Sequence, residues 1–139
     1  MAIGCVRNLG GGDSSPNTTV LIDGSTVNCE LVATSGHSFS IDTTNERVRV
    51  TRTASSISSS SGVFVYSFDI TNYSTALIQA TNNQRVLTLQ IGNKSVYLPS
   101  GTKATANLDV SDLTGYVDIR LYIYGDPGNA DIYKFWLEK

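Results

Sequence analysis

The stretch that decides the fold runs Ala106-Asn107-Leu108-Asp109-Val110-Ser111-Asp112-Leu113-Thr114-Gly115-Tyr116-Val117-Asp118-Ile119-Arg120-Leu121-Tyr122-Ile123-Tyr124-Gly125. Its second half alternates without a break. Val117, Ile119, Leu121 and Ile123 fall on one side, and Tyr116, Asp118, Arg120, Tyr122 and Tyr124 on the other. A period of two sustained over that length is a strand with one face in the core. The first half supplies the turn before it. Asp109 and Ser111 can bond nearby backbone, Leu113 can reach the core, and Gly115 can take a positive φ.

Outward from this stretch, strand signals follow one another with no helical interlude. Thr26 to Thr34 sets Val27, Cys29, Leu31 and Ala33 on one face, and His37 to Asp42 and Glu46 to Thr53 follow. Val63 to Thr71 places Phe64, Tyr66, Phe68 and Ile70 together. Thr75 to Ala80 and Arg85 to Ile91 flank an Asn82-Asn83 turn. Gly92-Asn93 turns into Lys94 to Leu98, which Pro99-Ser100-Gly101 ends. Thr102 to Val110, Tyr116 to Tyr124 and a last strand from Asp131 to Leu137 complete the series, with Ser55 to Ser61 as a long surface connection. No internal repeat is read. The expected fold is all-β, an antiparallel, jelly-roll-like β-sandwich of about ten short strands. Residues 1–23, with Gly10-Gly11-Gly12 and Pro16, read as an extended N-terminal arm, and 24–139 as the sandwich domain.

Composition narrows the function. The chain has 139 residues, enough for one domain with a real core. Only 16% are charged and the net charge is −2. Arg47, Arg49 and Arg52 are the nearest approach to a basic cluster, too little for a nucleic-acid partner. No apolar run approaches the roughly 20 residues of a membrane helix. Met1 to Gly12 shows no charged start followed by an apolar stretch, so no secretory signal is read. Cys5 and Cys29 either pair or stay reduced, and the sequence leaves both open.

Catalytic chemistry is poorly provided for, and the chain is not expected to be an enzyme. The single histidine, His37, sits beside Gly36 at a turn and reads as a surface or strand-edge residue. Asp109, Asp112 and Asp118 are candidate paired carboxylates, but turn capping already explains the first two. No cofactor is expected. The one metal reading is calcium at Asp126, Asn129 and Asp131, which gather oxygen ligands in one loop. They lack the EF-hand spacing and its bidentate Glu, so a decorated Pro-Gly turn is preferred.

The face formed by Tyr116, Asp118, Arg120, Tyr122 and Tyr124 is the candidate binding site. Tyrosine rings stack on the C–H faces of sugars while Asp and Arg bond hydroxyls, so the face suits a glycan. The same composition suits a protein interface, and cross-strand pairing that only stabilises the sheet competes with both.

The Asp-Val-Ser-x-Leu-x-Gly turn and its tyrosine strand resemble a β-sandwich domain that recurs in tail and minor structural proteins of phages infecting gut and Gram-positive bacteria. Phe68-Asp69-Ile70-Thr71-Asn72-Tyr73 and the closing Ile132-Tyr133-Lys134-Phe135-Trp136-Leu137-Glu138 look like further elements of it. The resemblance covers Val63 to Lys139. Jelly-roll carbohydrate-binding modules are similar in the same residues, because the turn physics is shared. What the resemblance implies is a virion structural protein, a capsid-decorating, fibre or tail component made in the bacterial cytoplasm. It would be a homo-oligomer that assembles with other virion proteins and attaches to a host-surface glycan. The alternative it implies is a carbohydrate-binding module for a bacterial surface glycan.

Overall fold

The structure is a computed structural model describing residues 17–82, 86–98 and 103–139. The arm up to residue 16, Cys5, Asn83 and the Pro99-Ser100-Gly101 stop lie outside the described residues. The rest forms twelve strands and no helix: β1 (Thr18–Asp23), β2 (Thr26–Val27), β3 (Val32–Ala33), β4 (His37–Asp42), β5 (Arg47–Arg52), β6 (Val63–Asp69), β7 (Thr75–Asn82), β8 (Leu87–Ile91), β9 (Lys94–Leu98), β10 (Ala104–Asp109), β11 (Tyr116–Ile123) and β12 (Gly128–Glu138). They build two antiparallel sheets, so the all-β sandwich stands. Five strands run in the order β3-β6-β11-β8-β9. The other seven are β10-β7-β12-β1-β2, with β5 also on β12 and β4 on β5.

The long β12 organises the larger sheet. One edge pairs with β7 along its length, while the other takes β5 beside Gly128–Ile132 and β1 beside Lys134–Glu138. Its inward Ala130, Ile132, Phe135 and Leu137 are fully buried, and the core continues through Ile78 of β7 and Leu89, Ile119 and Leu121 of the smaller sheet.

Several expectations change. The arm does not extend to Asp23. Thr18–Asp23 is a paired strand of the larger sheet with Leu21 and Ile22 buried, since Val20-Leu21-Ile22 is an apolar run that must leave water. Thr26 to Thr34 is not one strand. β2 pairs in the larger sheet and β3 in the smaller, so this stretch crosses between them. Asn129 and Asp131 lie within β12 rather than in a loop. Phe64 and Tyr66 do not share a face with Phe68. Ser67 takes φ 56° and the register against β11 shifts between Val117 and Ile119, so the extra residue of a bulge reverses the alternation. Val63, Val65 and Phe68 are therefore buried, and Phe64 and Tyr66 point outward.

The turn grammar around Asp109 holds. Asp109 Oδ1 accepts the Ser111 N–H at 2.9 Å and the Ser111 hydroxyl at 2.6 Å, Gly115 has φ 78°, and Leu113 packs on the core. A matching corner precedes it, which makes a short repeat after all. Asp69-Ile70-Thr71-Asn72-Tyr73-Ser74 parallels Asp109-Val110-Ser111-Asp112-Leu113-Thr114, and Asp69 Oδ1 accepts the Thr71 N–H at 3.0 Å. The first corner carries the chain from β6 to β7 and the second from β10 to β11, each between sheets. They bond to each other: Ile70 N–H to Gly115 O at 2.9 Å, Val110 N–H to Ser74 O at 2.9 Å, and Gly115 N–H to the Thr71 hydroxyl at 2.8 Å. Ile70 and Val110 are fully buried beneath them.

His37 corrects its reading as a surface residue. It is 6% exposed, and its Nε2 accepts the Ile123 N–H at 3.0 Å, tying β4 of one sheet to β11 of the other. The remaining ring proton therefore sits on Nδ1 and is donated to the Ser61 hydroxyl at 2.8 Å, and that hydroxyl in turn donates to Ser35 O. A second ring proton would face the Ile123 N–H. Burial first, and then the nearby Arg52 and Arg120 charges, lower the His37 pKa from 6.5 to about 4.

The architecture sets the stability of three variants. Ile70→Ala should lower stability by roughly 2–5 kcal/mol and Gly115→Ala by about 1–2 kcal/mol, both read as urea midpoints. An added Cβ at Gly115 meets nothing within 4 Å, so only the positive φ penalises it and an unchanged midpoint would contradict that conformation. Because His37 binds its proton less readily folded than unfolded, its contribution is complete above pH 6.5 and is lost as pH falls toward about 4. The loss should reach at most about 3 kcal/mol. His37→Gln should start less stable at neutral pH and show a flatter profile in that window. Asp42, with its pKa lowered to about 2 by hydrogen bonds from Asn45, acts only in more acid solution.

Candidate functional site

β11 lies in the middle of the smaller sheet, between β6 and β8, and its alternation is as the sequence reads it. Ile119, Leu121 and Ile123 are buried, while Tyr116 is 61% exposed and Asp118 is exposed. The antiparallel register sets each outward residue beside partners of the same face. Phe64, Arg120, Gln90 and Ser95 form one row across four strands, and Tyr122, Thr88 and Tyr97 the next. Phe64 and Tyr66 stack with centroids 4.9 Å apart and planes 5° from parallel. The sequence-predicted Asp118, Arg120 and Tyr122 thus share one face with Phe64, Tyr66, Gln90 and Tyr97. Tyr124 follows directly at the end of β11, and Tyr116 stands at the opposite end.

Reading the sequence alone misses Phe64 and Tyr66, because the bulge at Ser67 is invisible locally. The long-range signal is Asp118, whose Oδ1 accepts the Ser67 N–H at 3.1 Å and so anchors that bulge from the neighbouring strand.

Arg120 fixes the face to the serine-rich loop of residues 53–62. Its Nη2 donates to Ser59 O at 2.6 Å and Ser61 O at 2.7 Å, its Nε to Ser61 O at 3.0 Å, and its Nη1 to Gln90 Oε1 at 3.2 Å. None of these acceptors is a carboxylate. The guanidinium carbon also lies 3.8 Å from the Tyr122 ring centroid, a cation–π contact. Arg52 holds the start of the loop, donating to Ala54 O at 2.8 Å and Ser55 O at 2.6 Å, and reaches Ile123 O at 3.0 Å. Ile57 plugs the loop onto Gly36. A Cβ there would come within 2.6 Å of Ile57, and the φ of 100° also requires glycine.

A cleft opens on either side of Arg120. The larger, about 380 Å³, is walled by His37, Arg52, Ser59, Arg120, Tyr122 and Tyr124. The smaller, about 330 Å³, lies between Phe64, Gln90, Asp118 and Arg120. Both are wide enough for a sugar ring and carry mixed aromatic and polar walls. His37 offers no base to them, since both ring nitrogens are engaged.

Each of the three calcium candidates has a different partner. Asp131, 2% exposed, is gripped by Arg49 at 2.7 and 3.1 Å and Arg47 at 3.1 Å. The Asn129 Oδ1 accepts the Thr51 hydroxyl at 2.8 Å, and Asp126 Oδ1 accepts that of Ser55 at 3.1 Å. Among the described residues no three His, Cys, Asp or Glu side chains group as metal ligands. Asp131 instead neutralises the arginine pair on the outer face of the larger sheet.

No protein-family model matches the chain, and no curated protein matches it. Solved structures do. A variant of the module CBM29-2 complexed with cellulohexaose is similar with a TM-score of 0.62 at 12% identity, over 88% of this chain and 92% of that one. A carbohydrate-binding module of family 29 matches with a TM-score of 0.61 at 12% identity, over 86% of each chain. A structure described as BiXyn10A CBM1, in its apo form, matches with a TM-score of 0.52 at 11% identity, over 85% of this chain and 95% of that one. At such identities the likeness is one of fold, and the fold these structures share with the chain is the β-sandwich.

Proposed function

We propose that the protein is a non-catalytic carbohydrate-binding module whose ligand lies on the outer face of the five-stranded sheet. One observation carries this reading. Exposed aromatic rings gather on that face, interleaved with Asp118, Gln90 and Arg120 and notched by two clefts. Among the described residues, five large apolar or aromatic side chains have high exposure: Tyr66, Tyr97, Tyr116 and Tyr124 are on this face or at its end, and Ile41 is elsewhere. Folding does not require those rings to face water, whereas a sugar's C–H face is covered by them. Asp118 and Gln90 supply acceptors, and Arg120 and the loop serines supply donors, for hydroxyl groups at the ring edge. The fold is that of carbohydrate-binding modules, one of them solved with cellulohexaose, which supports the same reading.

This reverses the precedence of the two sequence expectations. The neighbours in structure lend nothing to a phage virion role. Self-assembly through the tyrosine face is the second reading, kept by the 61%, 65% and 72% exposure of Tyr116, Tyr97 and Tyr124, since tyrosine is also enriched at protein interfaces.

A glycan array followed by titration calorimetry tests the first reading, and light scattering across concentrations the second. A monomer that binds a glycan is expected. Tyr97→Ala and Tyr124→Ala, both at exposed positions, should fold normally and each lose about 0.5–1.5 kcal/mol of affinity, or about two- to ten-fold in Kd. An array without binders, together with a stable oligomer dispersed by Tyr116→Ala, would replace the glycan with a second copy.

A further inference from the structure

We propose that the larger cleft receives the anionic group of an acidic sugar, a uronate carboxylate or a sulfate ester, held by Arg52 and Arg120 with the sugar ring against Tyr124. The inference rests on the glycan-binding reading and specifies its ligand class.

The cleft has a charge imbalance that its own walls do not correct. Two guanidiniums line it, and among the described residues no carboxylate does. Both arginines donate to neutral oxygens: carbonyls of the loop, the Ile123 carbonyl and the Gln90 amide. Contrast the outer face of the larger sheet, where Arg47 and Arg49 share the buried Asp131. The same chain thus neutralises one arginine pair with a carboxylate and leaves the other facing a cleft. Asp126, next to the cleft wall at Gly125, accepts the Ser55 hydroxyl.

The titration of the wall groups agrees with this imbalance. His37, a third wall residue, is kept neutral partly by the Arg52 and Arg120 charges. Burial also pushes the Arg120 pKa below its ordinary value, the signature of a cation removed from water without an anion in exchange. A guanidinium has five N–H donors. The hydrogen bonds above leave Arg120 one Nη1 hydrogen, and Arg52 one on each Nη, so donors remain for an incoming carboxylate or sulfate. Their geometry is already fixed by the carbonyl bonds, so little ordering is lost on binding. The ring stack is left to Tyr124, 72% exposed, because Arg120 covers Tyr122. With a net charge of −2 the protein as a whole does not attract polyanions, so a preference for acidic glycans would have to be local.

The test is calorimetric titration with short uronic-acid oligosaccharides, each paired with its carboxyl-reduced form, and with sulfated oligosaccharides paired with desulfated ones. The proposal expects one charged member to bind about ten-fold or more tighter than its neutral partner, and the pair that discriminates identifies carboxylate or sulfate. Ser59→Asp, at an exposed loop position on the cleft wall, leaves both arginines in place and adds an anion there. It should abolish the preference for the charged member, while Ser59→Asn keeps it. Equal binding of charged and neutral forms, or tighter neutral binding, overturns the acidic ligand and spares the glycan-binding reading. A preference untouched by Ser59→Asp moves the anion out of this cleft and overturns the assignment. No binding of any glycan, charged or neutral, overturns both.

Discussion

Two corners hold this sandwich in register. Where β6 passes to β7 and where β10 passes to β11, the chain leaves one sheet and enters the other, and the two passages exchange hydrogen bonds through Ile70, Thr71, Ser74, Val110 and Gly115. Because the corners are locked together, β6 must neighbour β11 in one sheet and β7 must neighbour β10 in the other. The end pairs Asp69–Tyr116 and Thr75–Asp109 mark both registers at once. A slip of one residue would turn Arg120 and Asp118 into the core and expose Ile119 and Leu121. With Ile70 and Val110 buried beneath them, the corners are part of the core as well as its frame. The outward display of β11, and hence the candidate site, rests on these few bonds.

On that display Arg120 turns a polar loop into a wall. Residues 53–62 contribute one apolar plug, Ile57, and are otherwise poor in groups that could hold a fixed shape. Charge-assisted bonds to carbonyls do so instead, each worth more than a neutral hydrogen bond. The cost is a desolvated guanidinium, partly offset by the Tyr122 ring at 3.8 Å. His37 works from beneath, joining Ser61 of the loop to Ile123 of β11 and to its own strand β4. The cleft is therefore preorganised by groups that belong to three strands and one loop.

The sequence is legible where the determinants are local. The alternation of β11, the Asp109–Ser111 turn, the positive φ of Gly115 and the Gly92-Asn93 hairpin are all set by neighbours within a few residues, and all appear in the structure. What is not legible depends on partners far along the chain. The Ser67 bulge, which turns Phe64 and Tyr66 outward, is anchored by Asp118, 51 positions later in the chain. The burial of His37 needs Ile123. The break between β2 and β3 falls within continuous alternation and follows only from their pairing in different sheets. β1 is obscured by the glycine-rich stretch before it, although Val20-Leu21-Ile22 already carries the apolar signal of a strand.

The same distinction explains why motif resemblance indicates the fold better than the role. Asp-Val-Ser-x-Leu-x-Gly solves a corner problem: an aspartate accepts the turn amide, an apolar residue plugs the core, and glycine relieves the positive φ. Any sandwich with this crossover meets that problem, whether it belongs to a virion or to a sugar-binding module, and this chain solves it twice, with Tyr73 and Leu113 as plugs and the positive φ at Asn72 and Gly115. The features that distinguish one such protein from another lie where folding sets no requirement. Here they are the tyrosines left in water on one face, and Arg52 and Arg120, which among the described residues have no carboxylate on their cleft wall whereas Arg47 and Arg49 share Asp131. A residue whose exposure or charge the fold leaves uncompensated is better accounted for by a ligand than by stability.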